Sequence, residues 1–226
     1  MDAVSPKLNL DGYLDICAGR HPLLDREKVV PIDVSLGDGY DTLLITGPNT
    51  GGKTVTLKTI GLFILMTESG LHIPCHEESN IPLFKEVYAE IGDEQSIENN
   101  LSTFSSHMLN TANIIANADN ESLVLLDEVG SGTDPTEGAA LGVAMLEALK
   151  EKGAHIVATT HYTELKKYAI STEGVENASM EFDMDALAPT YKIKVGLPGK
   201  SNAFEISRKL GLDSSIIDRA ISLMNG

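Results

Sequence analysis

Residues Gly47-Pro48-Asn49-Thr50-Gly51-Gly52-Lys53-Thr54 place glycines ahead of a lysine and a hydroxyl in the spacing of a phosphate-binding loop. The glycines let successive backbone N–H groups turn toward one point. The helix that should open behind them adds a positive partial charge, which suits the β-phosphate of a nucleotide. Lys53 is then in reach of the β and γ oxygens, and the Thr54 hydroxyl is a hard oxygen ligand for Mg²⁺. The expected cofactors are ATP and Mg²⁺.

Asp127 and Glu128 follow the apolar run Leu123-Val124-Leu125-Leu126. Alone, an acidic pair after a strand is as readily a helix cap or an exposed loop. With a phosphate loop in the same chain it is expected to hold Mg²⁺ through Asp127 and to polarise the attacking water through Glu128. His161 ends a third apolar run, 155–159, and has two readings: a sensor of the γ-phosphate or a neutral capping residue. Gly130-Ser131-Gly132-Thr133-Asp134 is either a backbone that approaches something closely or an ordinary strand-to-helix loop.

Strands must carry these residues to one rim. Thr42 to Thr46 reads as a buried parallel strand, and 53–70 as a helix with Leu57, Ile60, Gly61, Ile64 and Leu65 at helical spacing. Strands are expected over 86–91, 123–126 and 155–159, and helices over 103–118 and 135–152, the latter capped by Asp134 with proline in its first turn. A hairpin (175–182, 190–195) and two helices should close the chain. Alternating strands and helices give an α/β fold of the P-loop type, a mostly parallel central sheet with flanking helices. Residues 1–40 read as a small antiparallel flank of the ATPase core at 41–226, one domain in all.

The 226 residues are 42% hydrophobic and 22% charged, enough for one sizeable core. A net charge of −16 argues against this segment gripping nucleic acid, since phosphate binding needs clustered Lys and Arg. Lys166-Lys167, the densest basic spot, reads as a solvated helix face. No apolar run reaches the roughly 18 residues of a membrane helix and no signal-peptide pattern opens the chain, so no membrane partner and a cytoplasmic location are expected. Cys17 and Cys75 lack metal or redox spacing and read as small thiols in a reducing compartment.

Taken together, "GRHPLL" (19–24), "ITGPNTGGKT" (45–54), "STFSSHM" (102–108), "LLDEVGSGTDPTEGAAL" (125–141) and "ATTHYTEL" (158–165) resemble the ATPase domain of the MutS family, a branch of the ABC-type ATPases. Thr50, "IGDEQSIENNLSTFSSHM" and "GSGTDPTEG" look most like the bacterial paralogue that carries a coiled core and a C-terminal Smr nuclease domain. Members of that group are described as recombination suppressors and splitting factors for collided ribosomes.

The resemblance implies that Gln95 couples nucleotide to conformation. It implies that Ser102 and Thr103 form the signature element on the partner subunit's γ-phosphate, that Asp134 faces the other subunit, and that His161 is the family's switch histidine. Val29 and Val30 fall where the family places an adenine-contacting side chain, commonly aromatic, so base stacking there is weakened. The implied assembly is a homodimer with composite ATP sites, and DNA or the ribosome is reached through other parts of a longer protein from which this segment is excised. Alternatives are a nucleotide-gated dimerisation module with negligible hydrolysis in isolation, and a mismatch-repair MutS ATPase. A transporter-type ABC ATPase is disfavoured, because no Leu-Ser-Gly-Gly-Gln run occurs.

Overall fold

The computed structural model describes residues 2–92, 103–199 and 202–225. In chain order the elements are β1 (Lys7–Asn9), β2 (Leu14–Gly19), β3 (Ile32–Leu36), β4 (Thr42–Thr46), α1 (Lys53–Glu68), β5 (Asn80–Pro82), β6 (Glu86–Glu90) and α2 (Thr103–Asn117). There follow β7 (Ser122–Leu126), α3 (Pro135–Glu151), β8 (His155–Thr160), α4 (Thr163–Ser171), β9 (Val175–Asp183), β10 (Ala188–Val195), α5 (Ala203–Lys209) and α6 (Ser214–Asn225).

The central sheet runs β10-β9-β4-β8-β7-β6, parallel throughout except for the β9–β10 hairpin. Its inner strands are apolar without alternation because both faces are covered. Leu43, Ile45, Leu123, Leu125 and Val157 point to the face carrying α1. Leu44, Val124, Leu126, Ile156 and Ala158 point to the face carrying α2, α3 and α4.

A second sheet, β1-β5-β2-β3, is chiefly antiparallel and closes over α1. Leu14, Ile16, Val34 and Leu36 of this sheet share one core with Leu57, Ile60, Phe63 and Ile64 of the helix. Strand β5 comes from beyond α1, so the N-terminal strands are stitched to the core by residues far along the chain.

Three local expectations change. Leu65, read as part of the buried stripe, is 48% exposed, while Leu57, Ile60 and Ile64 are fully buried. The helix face read at Lys166-Lys167 belongs to α4, whose bounds were not set because only Leu165 and Ala169 of its nine residues are buried and its apolar stripe is correspondingly thin. Lys166, read as solvated, is half-buried, and its ammonium donates to Gly199 O at 2.9 Å. Cys75 is buried and Cys17 partly so, both as free thiols. Among the described residues no helix is long and apolar enough to cross a membrane.

Candidate functional site

Because β4, β7 and β8 are parallel, their C-terminal ends share one rim, where ligands of open α/β sheets bind. From β4 the chain leaves at Gly47, makes a short 3-10 turn over Asn49–Gly51 and enters α1 at Lys53. Gly52 sits at φ +96, a left-handed conformation that favours glycine, and a Cβ there would press on the Tyr191 ring at 3.1 Å. The N-terminus of a 16-residue helix thus opens onto the loop.

Lys53 is 1% exposed and its Nζ donates to Gly47 O at 2.9 Å, spanning the loop from within. Burial pushes its pKa down, while the carboxylates of Glu128 and Asp127 oppose that shift.

From β7 come the two acids. The Thr54 hydroxyl donates to Asp127 Oδ2 at 2.7 Å, and the Thr159 hydroxyl of β8 donates to Asp127 Oδ1 at 2.5 Å. That same Thr159 oxygen accepts the Glu128 N–H at 2.8 Å, and the Thr159 carbonyl accepts the Val129 N–H at 3.0 Å. On the other side Asp127 N–H donates to Glu90 O at 2.8 Å. Glu128 is held at φ +49, a left-handed conformation that costs a non-glycine residue about 1 kcal/mol or more. The residue is half-buried.

These residues fit a magnesium ion. Adjacent ligands of an octahedral Mg²⁺ site, each about 2.1 Å from the metal, lie roughly 3 Å apart. The Thr54 and Asp127 oxygens already stand at 2.7 Å. Among the described residues no three His, Cys, Asp or Glu side chains converge on a metal position. A pair of protein oxygens suits an ion that keeps waters and takes phosphate oxygens.

His161 follows β8 directly, exposed on the same rim, with its ring tilted against Tyr162 at a centroid distance of 4.3 Å. The buried Tyr162 hydroxyl donates to Gly130 O at 3.2 Å, and burial raises its pKa. Gly130 and Gly138 meet backbone to backbone: a Cβ on Gly138 would stand 2.2 Å from Gly130 O. The glycine-rich stretch is therefore a close approach and not a loose loop. Asp134 caps α3, accepting from the Thr136 and Glu137 N–H groups at 2.9 and 3.2 Å.

Beside the loop lies a cavity of about 350 Å³, mostly apolar, lined by Val29, Val30, Gly52, Val55 and Tyr191 among others. Val29 and Val30 thus line a cavity together with Gly52 of the phosphate loop. Sequence reasoning missed Tyr191, an aromatic at φ +59 where the β9–β10 register slips between Pro189 and Ile193. Pro189, the last paired residue before the slip, was the one signal for it. Thr159 was also missed, because a threonine inside a buried strand looks like any other. Gln95 and Ser102 lie outside the described residues, and Thr103 opens α2.

This fold, with the phosphate loop and the acidic strand end on one rim, defines a P-loop ATPase domain of the ABC type. Residues 43–226 match the family model for MutS domain V. The chain belongs to the MutS family, as its ATPase domain, and is similar to proteins named Endonuclease MutS2. It is 62% identical over 218 residues to the protein named Endonuclease MutS2 of Halalkalibacterium halodurans, covering 96% of this chain and 28% of that protein. It is 62% identical over 220 residues to the Clostridium acetobutylicum protein of the same name (97% and 28%), and 58% identical over 225 residues to that of Clostridium beijerinckii (100% and 29%). The chain thus spans a little over a quarter of the length of these relatives.

Proposed function

We propose that this chain binds Mg-ATP and hydrolyses it, and that closure of two copies around the nucleotides drives conformational change in attached parts of a longer protein. In this reading the loop 47–54 holds the phosphates, with Lys53 on the β and γ oxygens. Thr54 and Asp127 hold Mg²⁺, which when bound neutralises charge developing on the phosphates. Glu128 orients and polarises the attacking water, and His161 faces the γ-phosphate. The nucleobase lies in the apolar cavity between Val29, Val30 and the face of Tyr191, which supplies the aromatic contact that the two valines lack.

One observation carries the reading: Thr54, Asp127, Thr159 and Glu128, from three elements, are joined in a single hydrogen-bonded chain at the mouth of the phosphate loop. Residues 1–40 act as a flank of the same unit, a view supported by β5 lying beside β2. Gln95, Ser102, Thr103 and Asp134 serve the closed homodimer, in which each composite site takes groups from both copies. DNA or ribosome binding, and any endonuclease activity such as the relatives' name states, belong to the remainder of the longer protein, acting in the cytoplasm.

The test is the steady-state ATPase rate per subunit against protein concentration, with Glu128→Gln alongside. A rate that climbs with concentration in the parent, and falls about 10²-fold or more in a variant that still binds ATP, is expected. A flat rate equal to that of the variant would make the chain a nucleotide-gated switch without hydrolysis.

A further inference from the structure

We infer that Lys166 is a positioning residue: it clasps the segment after β10 onto Thr46, the residue that leads into the phosphate loop, so that the state of the nucleotide site governs the C-terminal helices α5 and α6. This rests on the nucleotide-binding reading above.

The clasp is a run of three hydrogen bonds. Lys166 Nζ, on α4 five residues beyond His161, donates to Gly199 O at 2.9 Å. Gly199 N–H donates to Thr46 Oγ1 at 2.8 Å, and the Thr46 hydroxyl donates onward to Ala178 O at 2.9 Å. Thr46 is fully buried and is the last residue of β4, so its neighbour is Gly47 of the phosphate loop. Gly199 lies flat against that junction: a Cβ there would stand 2.9 Å from Thr46 Oγ1 and 3.3 Å from Gly47 N.

A second tie holds α4 itself. Asn177 Nδ2 donates to Lys166 O at 3.2 Å, while Asn177 O accepts the Gly196 N–H at 2.7 Å. Helix α4, strand β9 and the end of the hairpin are thereby locked around Lys166.

The placement is costly and specific. A lysine on a surface helix ordinarily reaches water, as the exposed Lys167 does beside it. Lys166 is instead half-buried, burial lowers its pKa, and its charge repels that of Lys53. Phosphate oxygens arriving at Lys53 attract both cations, so occupancy of the loop and closure of the clasp favour one another, and the coupling is reciprocal. Past the clasp lie α5, α6 and the turn between them, which expose Leu210, Leu212, Ile216, Leu223 and Met224, apolar side chains whose position would follow the nucleotide.

Hydrogen exchange of the 203–225 amides, with and without MgADP, tests this in the 226-residue chain. MgADP affinity and steady-state kcat are measured on the same samples of the parent, Lys166→Met, Lys166→Arg and Gly199→Ala. In the parent, MgADP is expected to change protection across 203–225. Lys166→Met should abolish that response, lower kcat about fivefold or more, and weaken MgADP binding by about threefold, the reciprocal share of the lost coupling. Lys166→Arg should restore the response. Gly199→Ala, which forces the segment off Thr46 without touching α4, should lose it, and this keeps the inference falsifiable if Lys166→Met fails to fold. A response at 203–225 that survives in both Lys166→Met and Gly199→Ala overturns the clasp. MgADP binding by the parent without any response at 203–225 overturns it alone, whereas failure of the parent to bind MgADP overturns it together with the nucleotide-binding reading.

Discussion

At the residue scale the site turns on Thr159, whose single hydroxyl orients two acids. Its proton goes to Asp127 Oδ1 and its lone pair receives the Glu128 N–H, so one oxygen sets the Asp127 carboxylate and the strained backbone of Glu128. Thr159→Val keeps the shape but leaves both partners unsatisfied in a buried strand, which costs about 1–3 kcal/mol. We expect kcat to fall about tenfold, equivalent to about 1.4 kcal/mol in the barrier, and half-maximal activity to need more Mg²⁺; Thr159→Ser should recover both. A magnesium titration of the ATPase rate, with a thermal melt of each variant, decides it. Unchanged rates in Thr159→Val would remove Thr159 from the site. The acids themselves were legible in the sequence because they are contiguous and follow an unmistakable apolar run. Thr159 was not, because its importance comes from the register that pairs Leu126 with Ala158 and brings the next residues side by side. Tyr191 was hidden for a similar reason: it is 139 positions beyond Gly52 in the numbering and reaches the loop only through an irregular hairpin.

At the element scale, α3 is where two demands on one segment can be separated. Asp134 caps the helix, and the family resemblance also turns its carboxylate toward a second copy. Asp134→Ala should cost about 1 kcal/mol of stability, whereas Asp134→Ser, which still caps, should cost only a few tenths. If the charge is also used across the dimer, the serine variant recovers the melting temperature but not the rise of ATPase rate with concentration; a serine variant with parental rates would reduce Asp134 to a cap. Gly138, one turn on, gives a prediction of inverted sign. Gly to Ala inside a helix ordinarily gains up to about 1 kcal/mol. Here the added methyl meets the Gly130 carbonyl at 2.2 Å, backbone against helix, and cannot be relieved by a rotamer change. Gly138→Ala should therefore lose about 1–3 kcal/mol and displace the loop behind Glu128, read as a lower melting point together with a lower kcat. A melting point equal to or above the parent's would mean that the contact yields. Long elements were legible because each has a run of buried positions to announce it. The three-residue strand β5 and the thinly buried α4 carry too few apolar residues to stand out, and both act through their neighbours.

At the scale of the whole molecule, charge sets the terms of assembly. Each copy carries 33 acidic against 17 basic side chains, for a net charge of −16, and bound nucleotide adds more negative charge than one Mg²⁺ removes. Two such copies repel one another at any separation within the Debye length, even where apolar residues such as those of α6 favour contact. Raising NaCl from about 20 mM to about 200 mM shortens that length from roughly 20 Å to roughly 7 Å. If assembly is limited by this repulsion, the protein concentration at which the per-subunit ATPase rate is half-activated should fall as salt rises. Sedimentation of the ATP-bound Glu128→Gln variant across the same series should show the dimer forming at lower concentration. The opposite trend, a dimer that dissolves on adding salt, would mean that the interface is built on paired opposite charges, outweighing the repulsion between the two chains as wholes. The same imbalance gives the chain alone no electrostatic claim on nucleic acid, whose affinity for proteins comes chiefly from cations laid along phosphates.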